Sequence, residues 1–446
     1  MSDLLSIGAS GIKAYARALA TVSDNIANSQ TPGYARRSIR LSQAPAPGDV
    51  VLYRNTIRPG GVLVAGIERA TNELLNQDAR VAGSDAGRTS ARLGGVLAAE
   101  RALDDGAGGV GASLTAIFNK ADQLGSDPSN QALRSGFLAS VDEAASAFRR
   151  TATGLQSAAT GVASDAQGRV VELNTNLSAL ERVNDGLRRA RDGSSTQAAL
   201  LDERDRLIDE VSGSIAVTTS FDERGAALLR VAGPGGDVLI DRGVVAQVSL
   251  SVAAGGQLSY GLTPSASGTL TPISGQLAGL SEAATQIATQ RTNLDTLANR
   301  FASDLNGAHQ AGRDSLGNPG VALLNPGSGA AEIAAIALTP SDVAAADATS
   351  TNGNILSLAN LRGPSGTEAG WANLVALQAQ AIAATRAQDA AATSRRDGAF
   401  DARDDVSAVD LDREAGELLR YQQAYEGAAR TIQVARETLQ TILNIF

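Results

Sequence analysis

Residues 411–446 constrain this chain more than any other stretch. Apolar or small residues recur there at Leu411, Ala415, Leu418, Tyr425, Ala429, Ile432, Ala435, Leu439, Ile442 and Phe446, in steps of three and four, with Gln422 filling one slot. That spacing makes a helix with one apolar seam, close to a heptad pattern. A lone helix has nothing to bury such a seam against, so it needs a partner. The other end of the chain offers one, because Leu5, Gly8, Ile12, Tyr15, Leu19, Val22 and Ile26 step in the same way. Two paired, coiled-coil-like terminal helices with a large middle between them are the expected plan.

The middle reads as mostly helix. Pro32 limits the first helix, since the residue before a proline leaves the helical region, and Gly33 permits a turn. From 34 to 67 the pattern becomes extended segments and turns, low in regular structure, with alternation at 38–41 and in parts of 50–57. Helical spacing returns over 71–103. After a Gly-rich break at 104–111 it continues over 113–124, from 129 to about 191 as one very long helix or two end to end, and over 197–211. Residues 214–270 differ in kind: Ile215, Val217 and Thr219 alternate with small polar residues, and Gly233-Pro-Gly-Gly marks a turn. This predicts a small β domain inserted into a helical frame. Helix resumes over 276–309 and 371–395, with two short strands expected near 333–338 between them, and Gly398 is read as a break before the terminal helix. The expected fold class is mainly α, a long helical bundle with paired terminal helices plus one small inserted β domain. The expected divisions are 1–36 with 403–446, 37–212 with 273–402, and 213–272.

Composition removes several functions. A formal charge of −9 makes nucleic acid and anionic membrane poor partners. There is no Cys, so disulfides, thiolate catalysis and Cys-based metal sites are out. The opening residues lack a basic region and a continuous apolar run, so they do not read as a cleavable secretory signal. No run of about 18 apolar residues exists to span a membrane. The terminal helix mixes Glu414, Glu417, Glu426 and Glu437 with Arg413, Arg420, Arg430 and Arg436. A membrane-surface helix wants a basic polar face instead, so the seam is read as a protein–protein surface.

Little here suggests chemistry. His309 is the sole histidine, and a Ser–His–Asp hydrolase would need it beside Asp304 or Asp314. The plainer reading is a histidine at a helix end, favouring the dipole or capping a turn. Asp202, Glu203, Arg204, Asp205 and Arg206 form a charge run, either paired carboxylates for acid–base or Mg²⁺ chemistry or, more simply, a solvated face of near-neighbour ion pairs. Residues 314–320 hint at a calcium loop but lack its ligand spacing, and a Gly/Asn turn fits better. Asn25, Asn28 and Gly33 read as a helix C-terminus. No catalytic, cofactor or metal residues are expected, and the chain is read as no enzyme.

Several motifs carry a resemblance. Asn25-Ile26-Ala27-Asn28 followed by Thr31-Pro32-Gly33-Tyr34 resembles the N-terminal motif of bacterial flagellar rod, hook and hook-associated proteins. The stretches 200–207 (LLDERDRL) and 306–320, with Asn306, His309, Gly312, Asp314, Gly317 and Gly320, are similar to segments of the hook-associated protein 1 family. So are Leu411-Asp412, Leu419 to Tyr425 and the closing Ile442-Leu443-Asn444-Ile445. The resemblance implies a structural protein of the hook–filament junction. Subunits would self-associate into a helical ring through Leu5, Ile12, Tyr15, Leu19, Val22 and Ile26 of the first helix and Leu411, Leu418, Tyr425, Ile432, Leu439, Ile442 and Phe446 of the last. Asn25, Asn28, Pro32, Gly33 and Tyr34 would form the joining motif. It further implies hook protein and the third hook-associated protein as partners, an export chaperone on the C-terminal helix, type III export without a cleaved signal, and an extracellular place on the flagellum. The competing readings are another axial protein (hook, rod or filament) and a secreted hydrolase with axial-type termini.

Overall fold

The computed structural model describes residues 2–43, 61–103, 106–233, 235–265 and 268–444. The alternation expected within 50–57, the residues Ile445 and Phe446, and Pro234 of the expected turn lie outside the described residues. Nine α-helices occur among those described: α1 (Ser2–Ala27), α2 (Glu73–Ala102), α3 (Val110–Ser126), α4 (Gln131–Arg189), α5 (Ser195–Ser214), α6 (Gln276–Gln310), α7 (Gly353–Ser357), α8 (Thr367–Ser407) and α9 (Leu411–Leu443). The fold is mainly α with a small β portion, as the periodicities predict.

Local chemistry explains several boundaries. Asn130 accepts from the backbone N–H groups of Ala132 and Leu133, opening α4. α4 then runs unbroken for 59 residues, one helix rather than two. Ser194 accepts from Gln197 N–H at the start of α5, and Asp410 accepts from the N–H groups of Asp412 and Arg413 at the start of α9. Each cap satisfies donors that the first helical turn leaves orphaned. Gly398 does not break the chain. α8 passes through it and ends at Ser407, because one mid-helix glycine costs only about 1 kcal/mol, too little to stop a long helix.

Residues 34–67 are more regular than expected. β1 (Arg37–Gln43) and β2 (Val62–Arg69) pair antiparallel as a ribbon, with a register shift between Arg40 and Leu41. The β stretch forms two sheets. β3 (Val217–Phe221), β4 (Ala227–Val231), β5 (Val238–Asp241) and β6 (Val244–Val245) form an antiparallel meander. β7 (Gln247–Val252), β8 (Leu258–Thr263) and β9 (Thr269–Leu270) form a second sheet. β10 (Leu324–Asn325) and β11 (Ala334–Ala335) make a minimal pair.

By contacts the chain resolves into two compact units. The first takes Met1–Ser84, Leu173–Gln247 and Thr393–Phe446, and the second Asp85–Glu172 and Val248–Ala392. The β3–β6 meander thus belongs to the first unit. There Asn184 of α4 exchanges hydrogen bonds with both backbone groups of Ala227. The second unit buries a conventional core from α3, α4, α6 and α8, including Leu114, Ile117, Phe137, Leu155, Ile287 and Trp371. Phe148 and Phe301 stack within it at 5.6 Å.

Candidate assembly surface

Within the first unit, α1 and α9 run antiparallel against each other. Gly8 lies against Ile432 and Gly11 against Ala428, while Asn25, near the other end of α1, reaches Glu414 at the start of α9. The helices meet through small side chains. A methyl group on Gly8 would sit 2.6 Å from Ile432 Cγ1, so only glycine allows that approach. Ala14, Ala18 and Val22 of α1 and Ala435 of α9 are buried. Tyr15 and Tyr421 flank the seam with rings 6.5 Å apart.

The packing face is therefore rotated from the larger apolar residues. Leu5, Ile12, Tyr15 and Leu19 are only half-buried, and Ile26 is exposed; of the residues expected on this helix's seam, Val22 and Gly8 are buried. On α9, Leu418, Ile432 and Leu439 are half-buried, while Leu411 (53% exposed), Tyr425 (37%) and Ile442 (40%) face solvent. Leu419 and Val434 add to the exposed apolar surface. Leu5, Ile12, Leu19 and Ile26 fall at seven-residue steps, as do Leu411, Leu418, Tyr425, Ile432 and Leu439. Each helix thus keeps an incompletely covered heptad stripe beside its small-residue seam.

A polar clasp ties one end of the pair together. Pro32 and Gly33 occupy the centre of a turn closed by Tyr34 N–H on Thr31 C=O (3.1 Å), and Gly33 has φ +79°. The turn swings Tyr34 back so that its hydroxyl donates to Asn25 Oδ1 (2.8 Å). Asn25 Oδ1 also accepts from Arg37 N–H (3.0 Å). The Asn25 amide donates to Arg37 C=O (2.8 Å) and Glu414 Oε2 (2.9 Å), so its hydrogen-bonding capacity is filled. Glu414, only 1% exposed, takes a second bond from Arg36 Nε at 2.7 Å. Burial pushes the Tyr34 hydroxyl up to about 12. Asn28, by contrast, bonds locally, donating to Asp24 C=O and accepting from Thr31. The sequence marked Asn25, Pro32, Gly33 and Tyr34 but not Glu414, which looked like one more solvent-facing charge. Its signal was only that it lies seven residues before Tyr421 and fourteen before Ala428, on the small-residue column.

From the clasp an ion-pair network continues through the charge run on α5. Arg37 donates to Asp202 (2.6 Å), and Arg69 donates to both Asp202 (2.7 Å) and Asp205 (2.8 Å). Arg80 reaches Asp209 (2.8 Å), which also takes Arg403 of α8 at 2.7 Å. Asp202 and Arg204 are buried, so this half of the run is not a solvated face. Arg204 stacks over Phe221 and donates to Gly225 C=O. Only Glu203 and Arg206 behave as expected, pairing with each other while Arg206 also pairs with Glu210 at the surface. Burial works to raise the Asp205 carboxyl, but Arg204 and Arg69 outweigh it and hold that group below its usual range. These carboxylates are saturated by guanidinium groups, an arrangement that locks the β1–β2 ribbon to α5.

The 306–320 motif of the second unit is also built for holding. His309, 1% exposed, offers Nδ1 to Val321 C=O (2.6 Å) and accepts Ala344 N–H on Nε2 (2.8 Å). That pattern requires Nδ1–H and a neutral ring, and burial lowers the pKa accordingly. A neutral imidazole does not favour the helix dipole as a cation would; it staples the following loop to α6. Asn306, one turn earlier, accepts from Leu323 and Leu324 N–H and donates to Leu324 C=O. Asp314 accepts from Leu316 and Asn318 N–H and from the Asn318 amide around Gly317 at φ +85°, a Gly/Asn turn. Among the described residues no helix is long and apolar enough to cross a membrane.

Residues 5–34 match the model for the flagella basal body rod protein, and 405–445 match that for the flagellar basal body rod FlgEFG protein C-terminal. Residues 97–324, just over half the chain, match the flagellar hook-associated protein FlgK helical domain, and the chain belongs to that family. It is 26% identical over 343 residues to flagellar hook-associated protein 1 of Salmonella typhimurium, covering 74% of this chain and 60% of that one. The chain thus spans about three fifths of the length of that relative. It is 24% identical to flagellar hook-associated protein 1 of Bacillus subtilis, covering 97% of this chain and 96% of that one. A solved structure of the flagellar hook junction protein FlgK from Burkholderia pseudomallei superposes with a TM-score of 0.49 at 20% identity, over 56% of this chain and 46% of that one.

Proposed function

We propose that this protein is a structural, non-enzymatic subunit of the bacterial flagellum, forming the ring that joins hook to filament. The observation that carries this reading is the pair of heptad stripes on α1 and α9, which their mutual packing leaves half-covered. Neighbouring subunits bury these stripes, and the terminal pair, 1–36 with 403–446, acts as the channel-lining core of the ring. Apolar surface removed from water contributes about 25 cal/mol per Å², so a stripe exposed in one subunit becomes a driving force when repeated around a ring. Hook protein on one side and the third hook-associated protein on the other are the proposed partners. A chaperone covers α9 before export, which runs through the flagellar type III route to the cell exterior. Against catalysis stands the state of His309, whose two ring nitrogens are both engaged by backbone groups. The experiment is electron microscopy of cells lacking the gene: hooks without filaments are expected, and intact flagella would overturn the reading.

A further inference from the structure

The α1–α9 seam has a feature that its small residues cannot supply. Leu4, Gly11, Ala18 and Asn25 form one column at seven-residue spacing, and Glu414, Tyr421, Ala428 and Ala435 form another. In the structure Gly11 meets Ala428, and Asn25 meets Glu414. Ala18 and Tyr421 border the same small cavity as Glu414. If α9 slid by one heptad, about 10.5 Å along the axis, Gly11 would meet Ala435 and Ala18 would meet Ala428. Those are again small against small, so the apolar part of the seam discriminates weakly between the two alignments. The clasp does discriminate. In the slipped alignment Asn25 faces Tyr421, Glu414 passes beyond Ala27 at the end of α1, and the buried Asn25 amide loses its carboxylate acceptor. A buried polar group that loses its partner is penalised.

We propose that Asn25 and Glu414 are the register-determining pair of the terminal helices, with Arg36 as the counter-charge. They select one of several near-equivalent alignments, as a single buried polar residue does in a coiled coil. The selection is consequential because the exposed stripe is a composite surface, with Leu5, Ile12 and Leu19 on one helix and Leu411, Leu418 and Tyr425 on the other. The proposal concerns the subunit itself, so it stands or falls apart from the assembly reading.

The chain has no cysteine, which makes disulfide trapping a direct test. Gly11→Cys with Ala428→Cys reports the native register, where the two Cβ positions lie 3.1 Å apart. Gly11→Cys with Ala435→Cys reports the slipped one. On mild oxidation of purified full-length protein, the native cross-link is expected to exceed the slipped one by about 100-fold, the upper end of the discrimination that a buried polar group deprived of its partner provides. In the Asn25→Ala/Glu414→Ala background that ratio falls to within about ten-fold of unity, with the helical circular dichroism unchanged. Glu414→Leu, which keeps the column apolar and α9 bound, raises the slipped cross-link at least ten-fold should the double variant lose helix. Exclusive native cross-linking in every variant that keeps its helices would overturn the proposal and assign the register to the short connections at 28–36 and 408–410.

Discussion

The end of α4 from Leu173 onward and the whole of α9 belong to the same compact unit and carry similar apolar periodicity, yet they use it in opposite ways. Leu173, Leu177, Leu180 and Leu187 of α4 are fully buried. Leu411, Leu419, Tyr425 and Ile442 of α9 are exposed, and the helix is held by glycine and alanine contacts plus one polar clasp. Periodicity announces that a face will be buried, but it does not say whether the partner lies in the same chain. What distinguishes the two helices is the second face of α9. Its small-residue column satisfies α1 and leaves the bulky stripe over.

The contrast can be broken in several places. The largest expected effect is in the conventional core. Phe148→Ala removes a ring stacked on Phe301 and should destabilise the subunit by about 3–5 kcal/mol in urea unfolding. A loss below about 1 kcal/mol would mean that this core is looser than its burial implies. Next comes the ion network. Asp202→Ala strands the mostly buried Arg37 and leaves Arg69 with Asp205 alone, and breaking a buried pair costs about 3–5 kcal/mol. Protease should then cut the β1–β2 ribbon first, and a ribbon that stays protected would show that the guanidinium groups are satisfied by water.

Smaller effects are expected from titration. The folded pKa of His309 is lowered by burial, so the unfolded chain binds more protons in the window beneath the unfolded value of about 6.5. Stability from this group is full above that value and falls as pH drops through it. His309→Gln should flatten the slope of stability between about pH 6.5 and 5, and an unchanged slope would place the titration elsewhere. Asp205 is also lowered, so its contribution is present above about pH 3.9 and disappears only as the medium becomes more acidic than that. The two windows can be separated in one pH series of melting curves.

Most helix positions and the terminal pairing were legible in the sequence, because heptad spacing, Pro32 and the capping residues act locally. The clasp was half legible. Asn25, Pro32, Gly33 and Tyr34 lie close in sequence, whereas Glu414 joins them from 389 residues away. The charge run misled for the same reason. A sequence window sees Glu203 with Arg206, but the guanidinium groups that bury Asp202 come from Arg37 and Arg69, 165 and 133 residues distant. Gly398 misled because a breaker was given more weight than a 41-residue helix concedes. The β stretch was recognised as strands, but nothing local announced that its strands divide into two sheets.

The central claim is that the exposed stripe of α9 serves other subunits and not the fold of its own. The most direct measurement pairs two readings on one variant, Leu411→Asp with Tyr425→Asp. In the purified subunit both positions are open to water, so the melting temperature is expected to shift by less than about 2 °C, below what a 1 kcal/mol loss gives in a domain of moderate size. In cells lacking the native gene, the same variant should leave hooks without filaments, with filament protein shed into the medium. A subunit that melts far lower would show that the stripe belongs to its own core. A variant that folds normally and still builds full filaments would contradict the account.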